Sequence, residues 1–165
     1  MRTTKDYLKL SPWEALIAMI NDKNNLVLMP ETTKLLEIDA HAGTTTEVTL
    51  QVRRGGVWGL LPLVGVQSFT YERLDLSTYF SNDLPIAVEA LTYPTTTLSL
   101  VEWLTQHYEI MFDRDDFIHE ELLIPPDTTY TLKASPYSLR WIGELVFTLP
   151  KSDATPSVVD TDVVV

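Results

Sequence analysis

The residues of this chain that could do chemistry are three histidines and many carboxylates, and their spacing decides what they can do. His41, His107 and His119 lie far apart, and no two of them form the His-Glu-x-x-His or His-x-His patterns of metal sites. His119-Glu120-Glu121 offers ligand atoms, but a single histidine in a loop is typical of a solvated side chain. We therefore expect no metal and no cofactor.

Two segments carry the carboxylates that most resemble functional groups. The acidic run 113–116 (Asp-Arg-Asp-Asp) lacks the acidic spacing, the glycine and the terminal glutamate of a calcium-binding EF-hand loop, so it predicts a solvated turn. Glu144 lies within the alternating run 141–147, on the side opposite the apolar residues. That position favours solvent exposure or an ion pair over a raised pKa.

The sequence also lacks the motifs that activate a nucleophile or bind a phosphate. No Gly-x-Ser-x-Gly turn is present, and the glycine-rich stretch 54–59 has no Lys-Ser or Lys-Thr pair. The absence of cysteine excludes a thiolate nucleophile, a thiolate metal site and a disulfide framework. The sequence therefore predicts that the chain is not an enzyme.

Composition indicates an acidic globular protein. The chain has 165 residues, a length typical of one domain, with 12 Lys and Arg against 23 Asp and Glu and a formal net charge of -11. Such a surface repels phosphates, which argues against nucleic acid as a partner. The densest basic clusters are Arg53-Arg54 and the neighbourhood of Lys133 to Arg140.

Targeting and membrane segments are not evident in the sequence. The first ten residues lack the long apolar core of a secretory signal, and no apolar stretch approaches the roughly 20 residues that span a bilayer. We therefore expect a protein that is made in a cytoplasm and has no membrane partner.

Two amphipathic helices are predicted from capping signals and apolar spacing. Ser11-Pro12-Trp13-Glu14 combines an N-cap serine, a proline at the first helical position and a capping-box glutamate, and it predicts a helix to about Asn21. Ser99 and Glu102 have the same spacing and predict a second helix from Ser99 to Glu109, with an apolar stripe that reaches Met111.

The remaining periodicity is that of strands. Alternation predicts an antiparallel pair at residues 46–53 and 65–71, with a turn at Gly55-Gly56, and further strands at 128–133 and 139–149, the last of them central or nearly so. Residues 86–91 predict either a third strand or an apolar extended segment. Residues 74–80 predict a short helical turn. The expected fold class is α+β, an antiparallel β-sheet or sandwich with two amphipathic helices packed on it. We expect a single domain at 1–150.

Residues 151–165 predict an extended C-terminal arm. Their small, polar and β-branched composition, without an aromatic residue, is typical either of a segment without structure of its own or of a strand that joins a neighbour's sheet edge. Trp58, in a glycine-rich loop, is the aromatic residue best placed as a surface anchor. The predicted interface residues are Trp58, Val158, Val159, Val163, Val164 and Val165.

Taken together, five segments carry a resemblance to a known class of protein. They resemble a small domain of tailed-phage virion proteins over about residues 11 to 150, and this resemblance implies a structural component of the particle without catalytic residues. The segments are 14–21 (Glu-Ala-Leu-Ile-Ala-Met-Ile-Asn), 46–50 (Thr-Glu-Val-Thr-Leu), 68–76 (Ser-Phe-Thr-Tyr-Glu-Arg-Leu-Asp-Leu), the predicted helix 99–109 before the acidic run, and 134–145 (Ala-Ser-Pro-Tyr-Ser-Leu-Arg-Trp-Ile-Gly-Glu-Leu).

We therefore expect a virion structural protein of a tailed phage, an accessory or minor subunit that docks on the head lattice or on the neck or tail. Its partners would be other capsid or tail subunits, with the chain itself oligomeric or bound to a lattice. The alternative is a soluble β-sandwich binding module for a carbohydrate or protein ligand, in which Trp58 and neighbouring tyrosines stack on sugar rings.

Overall fold

The chain has an α+β fold in which helices pack on antiparallel sheet. The computed structural model describes residues 3–39, 44–58, 61–89, 95–122 and 129–149, and among these it leaves out the side chains of residues 54–58, 61–62, 95 and 122. The helices are α1 (Thr4–Leu8), α2 (Pro12–Asn24), α3 (Leu76–Tyr79) and α4 (Thr97–Tyr108). The strands are β1 (Leu26–Val27), β2 (Thr33–Asp39), β3 (Thr45–Trp58), β4 (Leu61–Glu72), β5 (Leu74–Asp75), β6 (Ile86–Ala87), β7 (Thr95–Thr96), β8 (Glu121–Leu122), β9 (Thr129–Lys133), β10 (Trp141–Ile142) and β11 (Glu144–Thr148).

The largest sheet is built on a long antiparallel hairpin. β3 pairs with β4 on one side and with β2 and β1 on the other, all antiparallel. The predicted strand pair is confirmed, and both strands are longer than predicted. The predicted turn at Gly55-Gly56 is wrong, because both glycines lie within β3, where the register shifts between Val52 and Gly56. Glycine inside a strand pattern marks such an irregularity as well as a turn.

Helix α2 covers the inner face of this hairpin sheet. Alternate residues of β3 and β4 point inwards, and the helix buries its apolar side chains against them in one core cluster. Burial of each large aliphatic side chain stabilises the fold by about 1.5–3 kcal/mol. The central members of this cluster are Leu16, Ile17, Ile20, Val48, Leu50, Val52, Phe69 and Tyr71.

The ends of α2 follow local signals. Ser11 Oγ accepts from the Glu14 N–H at 3.4 Å, and the Glu14 carboxylate accepts from the Ser11 N–H at 3.0 Å, which confirms the predicted capping box. The hydrogen bonds from Ser11 also lower the pKa of Glu14. The helix ends at Asn24 and not near Asn21, because the left-handed residue that closes it is Asn25, with φ of 53°.

A second core cluster lies between α4 and a smaller sheet. β11 lies between β9, which is antiparallel to it, and β6, which is parallel, so the predicted central position of the last strand is confirmed. Leu74 packs against both clusters, and Tyr71 Oη donates to the Leu139 carbonyl at 2.9 Å. The predicted single domain at 1–150 and the arm at 151–165 stay predictions, and the arm lies outside the described residues.

The start of α4 differs from its prediction. The helix begins at Thr97, so Ser99 and Glu102 lie inside it and do not form a capping box. Leu100, Val101 and Leu104 are buried as the apolar stripe predicts. Met111 lies beyond the helix and is exposed, because Glu109 takes the left-handed conformation with φ of 54° and ends the helical spacing.

Gly143 lies between β10 and β11, and its substitution tests the backbone strain at that junction. It has φ of +84°, and an added Cβ would lie 3.3 Å from Asp75 Oδ2. We expect Gly143→Ala to lower the free energy of unfolding by about 1–3 kcal/mol, measured by urea denaturation. Gly65→Ala is the control, because Gly65 also has positive φ but an added Cβ meets nothing within 4 Å. Equal losses for both variants would show that the contact with Asp75 costs nothing.

Candidate functional site

The outer face of the hairpin sheet is open in the described part of the chain. Its middle is polar, and Thr49 Oγ1 and Ser68 Oγ lie 3.1 Å apart across β3 and β4. Nearer to the turn the same face of β4 is apolar, since Val64 is 60% exposed and Val66 is 58% exposed. Two neighbouring valines exposed to this degree on one face of a strand are suited to contact with a partner.

The outer edge of β4 carries backbone groups that no described strand uses. The Arg73 N–H, directly after β4, donates to the Thr44 carbonyl at 2.9 Å on the β3 side, so the odd-numbered residues direct their backbone groups towards β3. The Thr70 carbonyl accepts from Asn24 Nδ2 at 2.9 Å on the opposite side, which shows the same alternation. Between Gly65, which has φ of +100°, and Thr70, the residues whose N–H and C=O groups point outwards are Val66 and Ser68.

The two edges of the sheet differ in their protection against a further strand. β2 carries Lys34, Glu37 and Asp39, and its register shifts at Leu36, which is 47% exposed. Charges and bulges of this kind prevent an edge from pairing with other chains. β4 has neither a charged residue nor a proline in residues 63–71. The edge of β4 is therefore the one suited to accept an extended segment.

The structure describes only the backbone of one of the predicted interface residues. Trp58 ends β3 with its backbone opposite Leu26 and Leu61, and its side chain lies outside the described set. Its predicted role as a surface anchor therefore stays a prediction. The five arm valines, Val158, Val159, Val163, Val164 and Val165, also lie outside the described residues.

The acidic run 113–116 is solvated as predicted at Asp113, Arg114 and Asp115, but not at its last residue. It forms a short 3₁₀ helix at Arg114–Asp116, and Asp116 is only 1% exposed. The prediction was wrong for Asp116, because the partners of this carboxylate come from a distant segment. Ser138 Oγ donates to Asp116 Oδ1 at 2.5 Å, and the guanidinium of Arg140 lies 3.4 Å from Asp116 Oδ2.

Arg140 is the centre of this buried polar cluster. It is 0% exposed and donates to the backbone carbonyls of Leu10 and Met111 as well as to Asp116. The predicted basic cluster from Lys133 to Arg140 is therefore wrong for Arg140, which contributes nothing to surface charge. The cluster joins the start of α2 to the segment between α4 and β8 and to the loop before β10, so its geometry indicates a structural role.

A second buried arginine has a related role. Arg73 Nη1 donates to the carbonyls of Pro136 at 3.1 Å and Ser138 at 3.2 Å, which holds the loop before β10 against the end of β4. Its Nε has no hydrogen-bond partner in the described residues. Neither buried arginine was predicted, because the carbonyls to which they donate lie far away in the sequence. Pro136 is 63 residues from Arg73, and Met111 is 29 residues from Arg140.

The buried carboxyl of Asp116 should make the stability of the folded protein depend on pH. Burial raises the pKa of Asp116 above its ordinary value of 3.8, against the opposing effect of its hydrogen bonds and of Arg140. The folded state then holds this proton more tightly than the unfolded state. The stability that it contributes is present below pH 3.8 and is lost as pH rises through the folded-state pKa.

We therefore expect the unfolding free energy of the wild type, relative to that of Asp116→Asn, to fall as pH is raised from below 3.8. Urea titrations of both chains at several pH values measure this difference. A difference that rises with pH would contradict a raised pKa for Asp116.

The other candidate groups do not assemble into a site. His119 is exposed, with Nε2 near the Arg114 carbonyl and Nδ1 3.4 Å from Thr97 Oγ1, and His107 stacks on Trp103 at 4.6 Å. His41 lies outside the described residues, and Glu144 is exposed as predicted. Within the residues that the structure describes, no three His, Asp or Glu side chains group as metal ligands. None of the described helices has the length and apolar character needed to cross a bilayer.

Comparison with known proteins places the chain in a family. A family model described as "Family of unknown function (DUF7941)" matches residues 5–164. The chain belongs to this family. No curated protein and no solved structure matches the sequence. The match extends over both core clusters of this DUF7941 protein and over most of the segment 151–165.

Proposed function

We propose that this chain is a non-catalytic structural subunit of a tailed-phage virion, bound to the head lattice or to the neck or tail. The observation that best supports an assembly role is the outer edge of β4, which pairs on one side only among the described strands and carries no charge in residues 63–71. The resemblance of residues 11–150 to a virion domain supports the choice of a tailed-phage particle as the assembly.

The chemistry of the described residues fits this role better than catalysis. The buried side chains of Arg73 and Arg140 donate to backbone carbonyls, and Arg140 also pairs with the buried carboxylate of Asp116, so these groups connect distant chain segments. Such contacts make the molecule rigid, and a rigid subunit loses little conformational entropy when it docks. The partners in this proposal are other capsid or tail subunits, and the final location is the virion.

Quantitative mass spectrometry of purified particles tests the proposal. The particles are those of the phage whose genome encodes this sequence, and an abundant non-virion protein of the same infected cells is the control. We expect peptides of the chain at a copy number that stays constant relative to the major capsid protein through successive purification steps. A chain that is abundant in the cell lysate but lost from the particles in parallel with the control would refute the proposal.

A further inference from the structure

We infer that the cavity beside Arg73 binds a small organic carboxylate, whose charge pairs with the Arg73 guanidinium and whose apolar body packs on Leu74 and Tyr79. The cavity has a volume of about 740 Å³ and lies between α1, α3 and the junction of β4 with β5. A ligand site at this place goes beyond the proposed assembly role and does not depend on it.

Arg73 gives the cavity a buried positive charge. The residue is only 5% exposed, and it is one of those that line the cavity. An arginine stays protonated in proteins, and no Asp or Glu among the described residues forms an ion pair with it. Buried charges are normally paired, because an unpaired charge away from water is costly. An anion bound in the cavity therefore stabilises the Arg73 guanidinium.

The guanidinium of Arg73 also has donors left for such an anion. Nη1 donates to the carbonyls of Pro136 and Ser138, which fix the orientation of the group. Nε is enclosed by protein atoms and has no acceptor, and Nη2 has no acceptor among the described residues but is not enclosed in the same way. Nη2 is therefore the donor that a carboxylate in the cavity reaches, in a charge-assisted hydrogen bond.

The other walls of the cavity select one negative charge on an apolar body. Leu74 and the ring of Tyr79 supply apolar surface, and Lys5 adds a positive charge at an exposed position. Asp75 also lines the cavity, and its carboxylate accepts from the Thr78 N–H at 2.9 Å. This negative charge, together with the net charge of -11, acts against a doubly charged phosphate.

The size and position of the cavity suit a small molecule. Small-molecule sites are typically clefts of roughly 300–1,000 Å³ with mostly apolar walls and a few placed polar groups. Leu74 packs against both core clusters, and α1 contributes Tyr7 to one cluster and Leu8 to the other. Because both cores hold these walls, the site is formed before the ligand arrives, and binding costs little conformational entropy.

Titration of the full chain with phenylbutyrate, followed by nitrogen–proton correlation NMR, tests the site. This probe carries one carboxylate on an apolar body. We expect saturable shifts of the backbone N–H signals of Thr44, Leu74 and Thr78, with a Kd in the millimolar range or tighter. The neutral amide of the same acid and inorganic phosphate should each bind about tenfold more weakly or worse. No saturable shifts at these residues, or equal binding of the acid and its amide, would overturn the inference.

Matched charge reversals on α1 assign the binding to this cavity. Lys5→Glu places a negative charge on the cavity wall, and Lys9→Glu makes the same change at the exposed C-cap of the same helix, outside the lining. We expect Lys5→Glu to weaken phenylbutyrate binding by about threefold or more, and Lys9→Glu by less than about twofold. Equal effects of the two variants would contradict this placement of the ligand.

The signal of the Arg73 side chain tests the guanidinium without a variant that disturbs the fold. In the wild type we expect phenylbutyrate to shift the Nε–H signal of Arg73 with the same Kd as the backbone signals. The Nε–H signal of Arg53, which is exposed and outside the cavity, should stay fixed. Arg73→Lys, checked for folding by circular dichroism, should weaken binding by about tenfold. A stationary Arg73 signal in the saturated protein would overturn the role of the guanidinium.

Discussion

Arg140→Met should lower the free energy of unfolding by about 3–5 kcal/mol, because it removes one partner of a fully buried ion pair. The guanidinium of Arg140 is 3.4 Å from Asp116 Oδ2, and both side chains are almost completely excluded from solvent. The variant keeps most of the side-chain volume, so the loss comes mainly from the unpaired carboxylate and from the carbonyls of Leu10 and Met111 that lose their donor.

A double-mutant cycle separates this effect from a general loss of packing. In an Asp116→Asn background no carboxylate is left unpaired, so Arg140→Met should cost less there, with a coupling of about 0.5–3 kcal/mol in urea denaturation. Arg53→Ala is the control for loss of an exposed arginine and should change stability by less than about 0.5 kcal/mol. Additive effects of the Asp116 and Arg140 substitutions would show that the pair contributes nothing.

Trp141→Ala should also cost about 3–5 kcal/mol, the range typical of a buried aromatic residue that is truncated. Trp141 is fully buried in β10, and its ring lies 5.5 Å from that of Phe112 and 5.9 Å from that of Tyr79. Denaturant unfolding measures the loss. Tyr137→Ala is the control, because Tyr137 is 72% exposed in the adjacent loop.

Trp141→Phe distinguishes ring packing from hydrogen bonding at this position. Trp141 Nε1 has no acceptor among the described residues, so phenylalanine loses ring volume but no hydrogen bond. We expect Trp141→Phe to cost clearly less than Trp141→Ala. If the two variants cost the same, the indole nitrogen has a partner and the assignment of Trp141 to pure packing is wrong.

The parts of the fold that were predictable depend on local interactions. The start of α2 was visible in Ser11-Pro12-Trp13-Glu14 because the capping groups lie within four consecutive residues. The alternation of β4 was also visible, because it repeats between residues only two positions apart. β2 was missed, because the bulge at Leu36 breaks the two-residue period that identifies a strand.

The parts that could not be predicted depend on contacts between distant residues. Arg140 stands between Leu139 and Trp141 in an apolar stretch, and nothing nearby indicates that Asp116 will neutralise it. The absence of charge in residues 63–71 was visible in the sequence, but its meaning was not. It became informative once β4 was placed at an edge of the sheet.

Cryo-electron microscopy of the assembled particle tests the central claim most directly. The account predicts density for the described fold at a regular position in the head, neck or tail, with the outer edge of β4 of each copy in contact with another subunit. Particles that lack this fold, or copies in which the outer edge of β4 faces solvent throughout, would contradict the account.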